Sequence, residues 1–312
     1  MYTSIYAPLD NSDHSNAAMD LTVALGKAYG ARVTGSHIYA AALHDVRFKQ
    51  MEFTLPDEYK EETELEKQRR IHDTLITRGL QLISDSYLAP MAALAQDAGV
   101  TFEGKTFDGK NFEQIVNDIN DSDYDLVILG ALGQGAVKPS RAGSVCERTL
   151  RRTAVDTFVV RDALANELDG SDAIVVALDG SAWSWGAFKS ACSMAAVTER
   201  PLEIVVVHEP DSPADELLEA HQALARKVAK SRGVKVRTTA LEGQTSEALL
   251  EYIERTSPWL LAIGRHGIDA GEGELEVGSL TEHVIRFSGC NVLVGGTEWR
   301  PTIEDESARA AA

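Results

Sequence analysis

The chain carries one strand-turn-helix pattern twice, and a duplication of this kind restricts the fold before any other property is weighed. An apolar run, Asp125-Leu126-Val127-Ile128-Leu129, leads into Gly130, two residues, Gly133, nine residues, then Gly143-Ser144. A second run, Leu260-Leu261-Ala262-Ile263, leads into Gly264, two residues, Gly267, ten residues, then Gly278-Ser279. With glycine at about 7% of residues, such a pattern arises by chance roughly once in several tens of thousands of start positions. Two occurrences therefore signal repetition. Tight turns and helix ends would by themselves demand glycine, but a glycine turn between a strand and a helix also lets backbone amides approach phosphate oxygens.

The repeat extends upstream. Ile5-Tyr6-Ala7-Pro8-Leu9-Asp10-Asn11-Ser12 and Ile174-Val175-Val176-Ala177-Leu178-Asp179-Gly180-Ser181 both read as a strand followed by an Asp-x-Ser turn. Ala18, Leu21, Leu25 and Ala28 follow at helical spacing in one copy, and Ala187, Ala191 and Met194 in the other. Second strands are expected over Ala31 to Tyr39 and Leu202 to Val207, ending near His37 and His208, and closing strands over Thr157 to Val160 and Asn291 to Val294.

Asp179 follows Asp10 by 169 residues, whereas Gly264 follows Gly130 by only 134. The difference of 35 places an insertion in the first copy, between Tyr39 and the third strand near Val100 to Phe107. Its sequence is charged from Asp57 to Arg70. Ile71, Leu75, Leu80, Leu82 and Ile83 then suggest one apolar stripe, and Pro90 an interruption. A long helix or helical pair that covers the sheet or a neighbouring domain is expected, with a lid or partner surface as the alternative.

Strands alternating with helices of ordinary length indicate an α/β fold with parallel sheets covered on both faces. The expected organisation is a first domain over 1–162 with a helical insertion around 41–95, a polar junction near 163–170, a second domain over 172–296, and a tail over 297–312. Cys146, Cys192 and Cys290 lack the close pairing of zinc or redox motifs, which fits a reducing cytoplasm. The amino-terminal segment lacks a basic region and apolar core, and no later run approaches eighteen apolar residues, so neither export nor membrane spanning is expected. A net charge of -18, without a basic stripe, disfavours nucleic acid.

In an open parallel sheet, ligands collect at the carboxyl ends of strands where the winding reverses. If the first and fourth strands are neighbours, Asp10 faces Gly130, Gly133 and Gly143 across that crevice, and Asp179 faces Gly264, Gly267 and Gly278. The carboxylate suits a ribose hydroxyl or an adenine amino group and the loop amides suit phosphates, although either aspartate could equally be a turn cap. Ser144-x-x-Glu147 and Ser279-x-x-Glu282 fit the capping-box pattern, so each serine is expected to cap its helix or to meet a phosphate there. Lys138 and Arg141 make the first loop basic, whereas Asp269, Glu272, Glu274 and Glu276 make the second acidic. A polyphosphate would prefer the first loop unless a divalent cation bridges the second. Dinucleotide, P-loop and nucleophile-elbow motifs are absent, and His37 and His208 read as structural or accessory.

In the Asp turns, the two histidine positions and the two glycine signatures, the sequence resembles the universal stress protein family in its tandem form. The first copy meets that family's ATP-binding pattern of glycines. The second has an extra residue and an acidic loop, though Asp179-Gly180-Ser181 matches better than the turn with Asn11. The resemblance implies two five-stranded parallel sheets of order 3-2-1-4-5, meeting through their last strands in an intramolecular pseudo-dimer, with homodimerisation a further expectation. It implies a cytoplasmic stress-response protein binding ATP or a related adenine nucleotide, with or without Mg, as a regulatory ligand around Asp10, Gly130, Gly133, Gly143 and Ser144. Asp179, Gly264, Gly267, Gly278 and Ser279 are the second-domain counterparts. A scaffold recruiting an unidentified protein partner through the insertion, and a slow ATP hydrolase or self-phosphorylating enzyme, are the other two readings.

Overall fold

Alternating side chains build two apolar layers on a single sheet. In β1 (Ser4–Pro8), Ile5 and Ala7 enter one core and Tyr6 the other. Leu126 and Ile128 of β4 (Leu126–Gly130) separate likewise from Val127 and Leu129. Strands buried on both faces are nearly all apolar for this reason. The structure, a computed structural model, describes residues 2–57, 60–133, 142–161, 172–210, 215–268 and 277–302, without the side chains of 42–47.

The first half continues with α1 (Asp13–Tyr29), β2 (Arg32–Tyr39), α2 (Ala41–Glu52), α3 (Glu62–Ala98), β3 (Phe102–Asp108) and α4 (Asn111–Asp121), and after β4 with α5 (Ser144–Arg152) and β5 (Asp156–Val160). The second comprises β6 (Ile174–Ala177), α6 (Ala182–Thr198), β7 (Leu202–His208), α7 (Asp215–Ser231), β8 (Val236–Glu242), α8 (Thr245–Thr256), β9 (Leu260–Gly264), α9 (Ser279–Phe287) and β10 (Asn291–Gly295). Both halves have the strand order 3-2-1-4-5, and they join as one ten-stranded sheet, β3-β2-β1-β4-β5-β10-β9-β6-β7-β8. Helices α1, α3, α6 and α7 cover one face, and α4, α5, α8 and α9 the other.

The expected pseudo-dimer is present. β5 and β10 pair antiparallel, Val159 opposite Val292, Phe158 opposite Leu293 and Thr157 opposite Val294. Buried Asp156 fastens this seam by accepting from Tyr2 Oη at 2.6 Å, Ser190 Oγ at 2.5 Å and the Gly296 amide at 2.7 Å. On the opposite face, α5 and α9 exchange reciprocal ion pairs, Arg151 with Glu282 at 2.6 Å and Arg286 with Glu147 at 3.4 Å. Past β10, the Trp299 amide bonds to Ala182 O at 2.9 Å and its ring meets Trp185.

The insertion differs from expectation in two respects. Pro90 does not interrupt the helix but lies inside α3, which runs 37 residues, about 55 Å at 1.5 Å per residue. Pro90 and Ser86, whose carbonyl loses its helical donor, are both exposed, so water can replace the missing bond. Nor do Ile71, Leu75, Leu82 and Ile83 cover the sheet, since all four are more than half exposed. The covering residues are Leu88, Met91 and Ala95, further along the helix. α2 packs beside the amino-terminal part of α3, where Arg69 clasps Glu52 and Phe48 stacks on His72 at 3.9 Å.

Candidate functional site

Parallel strands direct their carboxyl ends to one edge of the sheet. Between β1 and β4 that edge opens into a cavity of about 610 Å³, within the range of small-molecule sites. Asp10 stands on its rim. Its Oδ1 accepts from the Ser12 amide at 3.0 Å and lies 2.6 Å from Ser12 Oγ. Ser12 in turn caps α1 through the Ser15 amide and reaches Leu132 O at 3.1 Å, tying the β1 turn to the glycine loop. Asp10 thus has the structural role of a turn former and also faces the cavity.

Each glycine has a distinct neighbour. A Cβ on Gly130 would meet His14 C and Ser15 N, both at 2.9 Å, so this glycine admits the start of α1. On Gly133 it would lie 2.5 Å from Asp10 Oδ2. Gly143 donates to Ala131 O at 2.7 Å and is the N-cap of α5. The Glu147 amide is the first to bond back, to Gly143 O, so the amides of Ser144, Val145 and Cys146 have no partner within the helix. These donors, with the helix dipole, border the cavity and suit an anion.

The expected serine caps are not formed. Gly143 and Gly278 are the N-caps, and neither Ser144 nor Ser279, at the first helical positions, makes a side-chain cap. One residue of displacement puts Glu147 and Glu282 outside capping-box register, and both carboxylates instead serve the ion pairs between α5 and α9. Cys146, against the same cavity, is buried, and burial pushes its thiol up to about 12. Burial therefore disfavours the thiolate, the nucleophilic form.

The second domain repeats the frame with different dimensions. Asp179 Oδ1 accepts from the Ser181 amide at 2.9 Å, Ser181 caps α6, and Gly278 donates to Arg265 O at 3.0 Å. The cavity is about 320 Å³, and a Cβ on Gly267 would stand 3.4 Å from Asp179 Oδ2. Gly264 crowds Trp183 and Ser184 as Gly130 crowds α1. Asn11 and Gly180 both adopt positive φ, 59° and 84°, so the two turns share a backbone despite the change of residue.

Two copies of this frame follow one another in the chain, and the sequence matches the universal stress protein family over residues 1–161 and again over 170–294. This protein belongs to the universal stress protein family. A universal stress protein of Methanocaldococcus jannaschii is 30% identical over 158 residues, covering 45% of this chain and 91% of the relative. The crystal structure of a universal stress protein from Archaeoglobus fulgidus shares the fold with a TM-score of 0.66 at 19% identity, covering 93% of this chain and 97% of that one. A structure from Pseudomonas aeruginosa does so with a TM-score of 0.62 at 14% identity, covering 94% and 92%.

Within this universal stress protein, the first cavity gathers Asp10, Gly130, Gly133, Gly143 and Ser144, and the second gathers Asp179, Gly264, Gly267, Gly278 and Ser279. Lys138 and Arg141, and likewise Asp269, Glu272, Glu274 and Glu276, lie outside the described residues. Three cavity residues escaped the sequence reading. Tyr87 enters the first site from the insertion and stacks on His37, with ring centroids 4.1 Å apart and planes within 9°. Asn111 lines the same cavity from the start of α4. In the second, buried His266 sits edge-on to Trp183, with no hydrogen-bond partner at Nε2 among the described residues. Only His266, beside Gly267, had a positional signal. The two expected histidines diverge: His37 Nδ1 holds Leu9 O at 2.8 Å, whereas His208 Nδ1 lies 2.8 Å from Asp215 Oδ1 of α7 without hydrogen-bond geometry. Among the described residues no cluster suits a metal ion, and no helix is long and apolar enough to cross a membrane.

Proposed function

We propose that this universal stress protein binds ATP or a related adenine nucleotide as a regulatory ligand at the first-domain site. One observation carries the reading. The amino-terminal amides of α5 and the Asp10 carboxylate border a single cavity, with Gly133 leaving the space between them clear. The amides would hold phosphates, while Asp10 would accept from a sugar hydroxyl or an adenine amino group. Mg would arrive on the phosphates. The smaller second cavity favours the first site, as does the basic sequence of the first loop. The protein would serve as a cytoplasmic stress-response switch, its occupancy altering conformation or partner choice. Isothermal titration of the full chain with ATP, with and without Mg, tests this, and an absence of heat under both conditions removes it.

The exposed apolar residues of α3, together with Phe53 at 84% exposure, favour a second reading in which the insertion recruits a protein partner. Deleting residues 45–90 would then abolish partner capture. Sustained phosphate release, lost in a Gly133 variant, would point instead to slow hydrolysis.

A further inference from the structure

The insertion contributes a wall to the first site. His37 lies two residues before the end of β2, and its Nδ1 bond to Leu9 O fixes the plane of the imidazole. Tyr87 lies parallel on that ring, and both rings border the cavity beside Leu9 and Ile38. The phosphate-suited amides of α5 are at the β4 side. Since β1 lies between β2 and β4, the two ends are separated by two strand spacings, about 10 Å. That span suits a ligand with an anionic end and a planar aromatic end. In the second domain the covering helix α7 supplies Leu218 to the cavity instead.

Tyr87 also occupies a mechanical boundary. Beyond it, α3 is held down by Leu88, Met91 and Ala95, with Met91 and Leu88 pressed over Gly35 of β2. Just before it Ser84 is still buried, and from Ile83 back the helix carries exposed Ile83, Leu82, Leu75 and Ile71 and packs with α2. A ligand touching Tyr87 therefore acts where the anchored half meets the projecting half.

We propose that Tyr87 contacts the base of a nucleotide in the first site, making α3 the element that responds to occupancy by a base-bearing ligand. Phosphate alone would fill the α5 end without engaging the helix. A nucleotide would extend the His37–Tyr87 ring pair and clamp α3 to the sheet. This rests on the nucleotide reading above.

The test is titration of the full chain and its Tyr87→Ala and Tyr87→Phe variants with ATP, AMP and inorganic tripolyphosphate, alongside amide hydrogen exchange across α3. Replacement by alanine should weaken ATP and AMP about tenfold, the scale of a lost base-aromatic stack, with tripolyphosphate unaffected and phenylalanine close to wild type. ATP, unlike tripolyphosphate, should slow exchange in residues 75–88. Unchanged ATP affinity in Tyr87→Ala, or α3 exchange indifferent to ATP, overturns the proposal while leaving nucleotide binding intact. A wild-type protein that binds neither ATP nor AMP overturns both.

Discussion

Gly133 leaves room for the Asp10 carboxylate: a single methyl group on Gly133 would come within 2.5 Å of Asp10 Oδ2, closer than a Cβ and an oxygen can approach. The equivalent addition at Gly267 would reach 3.4 Å from Asp179 Oδ2, an ordinary contact. Gly133→Ala should therefore displace Asp10 and lower ATP affinity at least tenfold by titration, whereas Gly267→Ala should leave it within about twofold. Equal losses in the two variants would refute the assignment to the first site.

Asp156 holds the seam between the halves with three buried donors. Asp156→Ala leaves the Tyr2 hydroxyl, the Ser190 hydroxyl and the Gly296 amide without an acceptor and should cost about 3 kcal/mol in urea unfolding. Tyr2→Phe, which removes one donor and keeps the ring, should cost about 1 kcal/mol.

The reciprocal pairs between α5 and α9 should matter much less. Arg151 and Arg286 are 38% and 47% exposed at the side chain, where ion pairs contribute about 0.2–1 kcal/mol and are screened by salt. A double-mutant cycle on Arg151 and Glu282 should give a coupling in that range that shrinks by 1 M salt. A salt-independent coupling above about 2 kcal/mol would mean that water is excluded from the pair.

Glu203 gives the stability a defined pH dependence. Burial opposes its ionisation, but hydrogen bonds from Thr239, Tyr252 and Arg237 outweigh that cost, and its carboxyl lies below the ordinary value of 4.5. A depressed folded value means that the group stabilises the fold above the unfolded value and loses that contribution as pH falls through the folded one. Unfolding free energy should drop more steeply below about pH 4.5 in the wild type than in Glu203→Gln. Parallel acid limbs would show that Glu203 is not the responsible group.

All three cysteines are buried and free, with thiols raised chiefly by burial. Native protein at pH 8 should react with an aromatic disulfide reagent only as fast as it unfolds, and denatured protein should release three equivalents at once. Rapid labelling of Cys146 in the native state would show that its cavity wall opens to solvent.

Much of the fold was legible because it is written in local periods. Two-sided apolar runs marked Leu126–Gly130 and Leu260–Gly264 as buried parallel strands, and repeat spacing located the insertion. The candidate site was legible where a backbone constraint is residue-specific, as at Asp10-Asn11-Ser12 and the glycine signature. It was not legible at Ser144, where cap and first helical position differ by one residue, and nearby sequence admits both. Nor could Ile71 and Leu75 be distinguished from Leu88 and Met91. Helical spacing identifies a face of α3 but not what lies against it.

The amino-acid sequence by itself determined the duplication, the α/β class, the Asp turns and the glycine loops, because periodicity and positive or crowded backbone positions act over a few residues. Tertiary structure alone decided that Gly130 makes room for α1, that Asp156 locks the halves, and that Tyr87 reaches His37 across 50 residues of chain. Each of those depends on long-range packing, in which the identity of the neighbour is set by how helices lie on the sheet and not by the pattern of either segment.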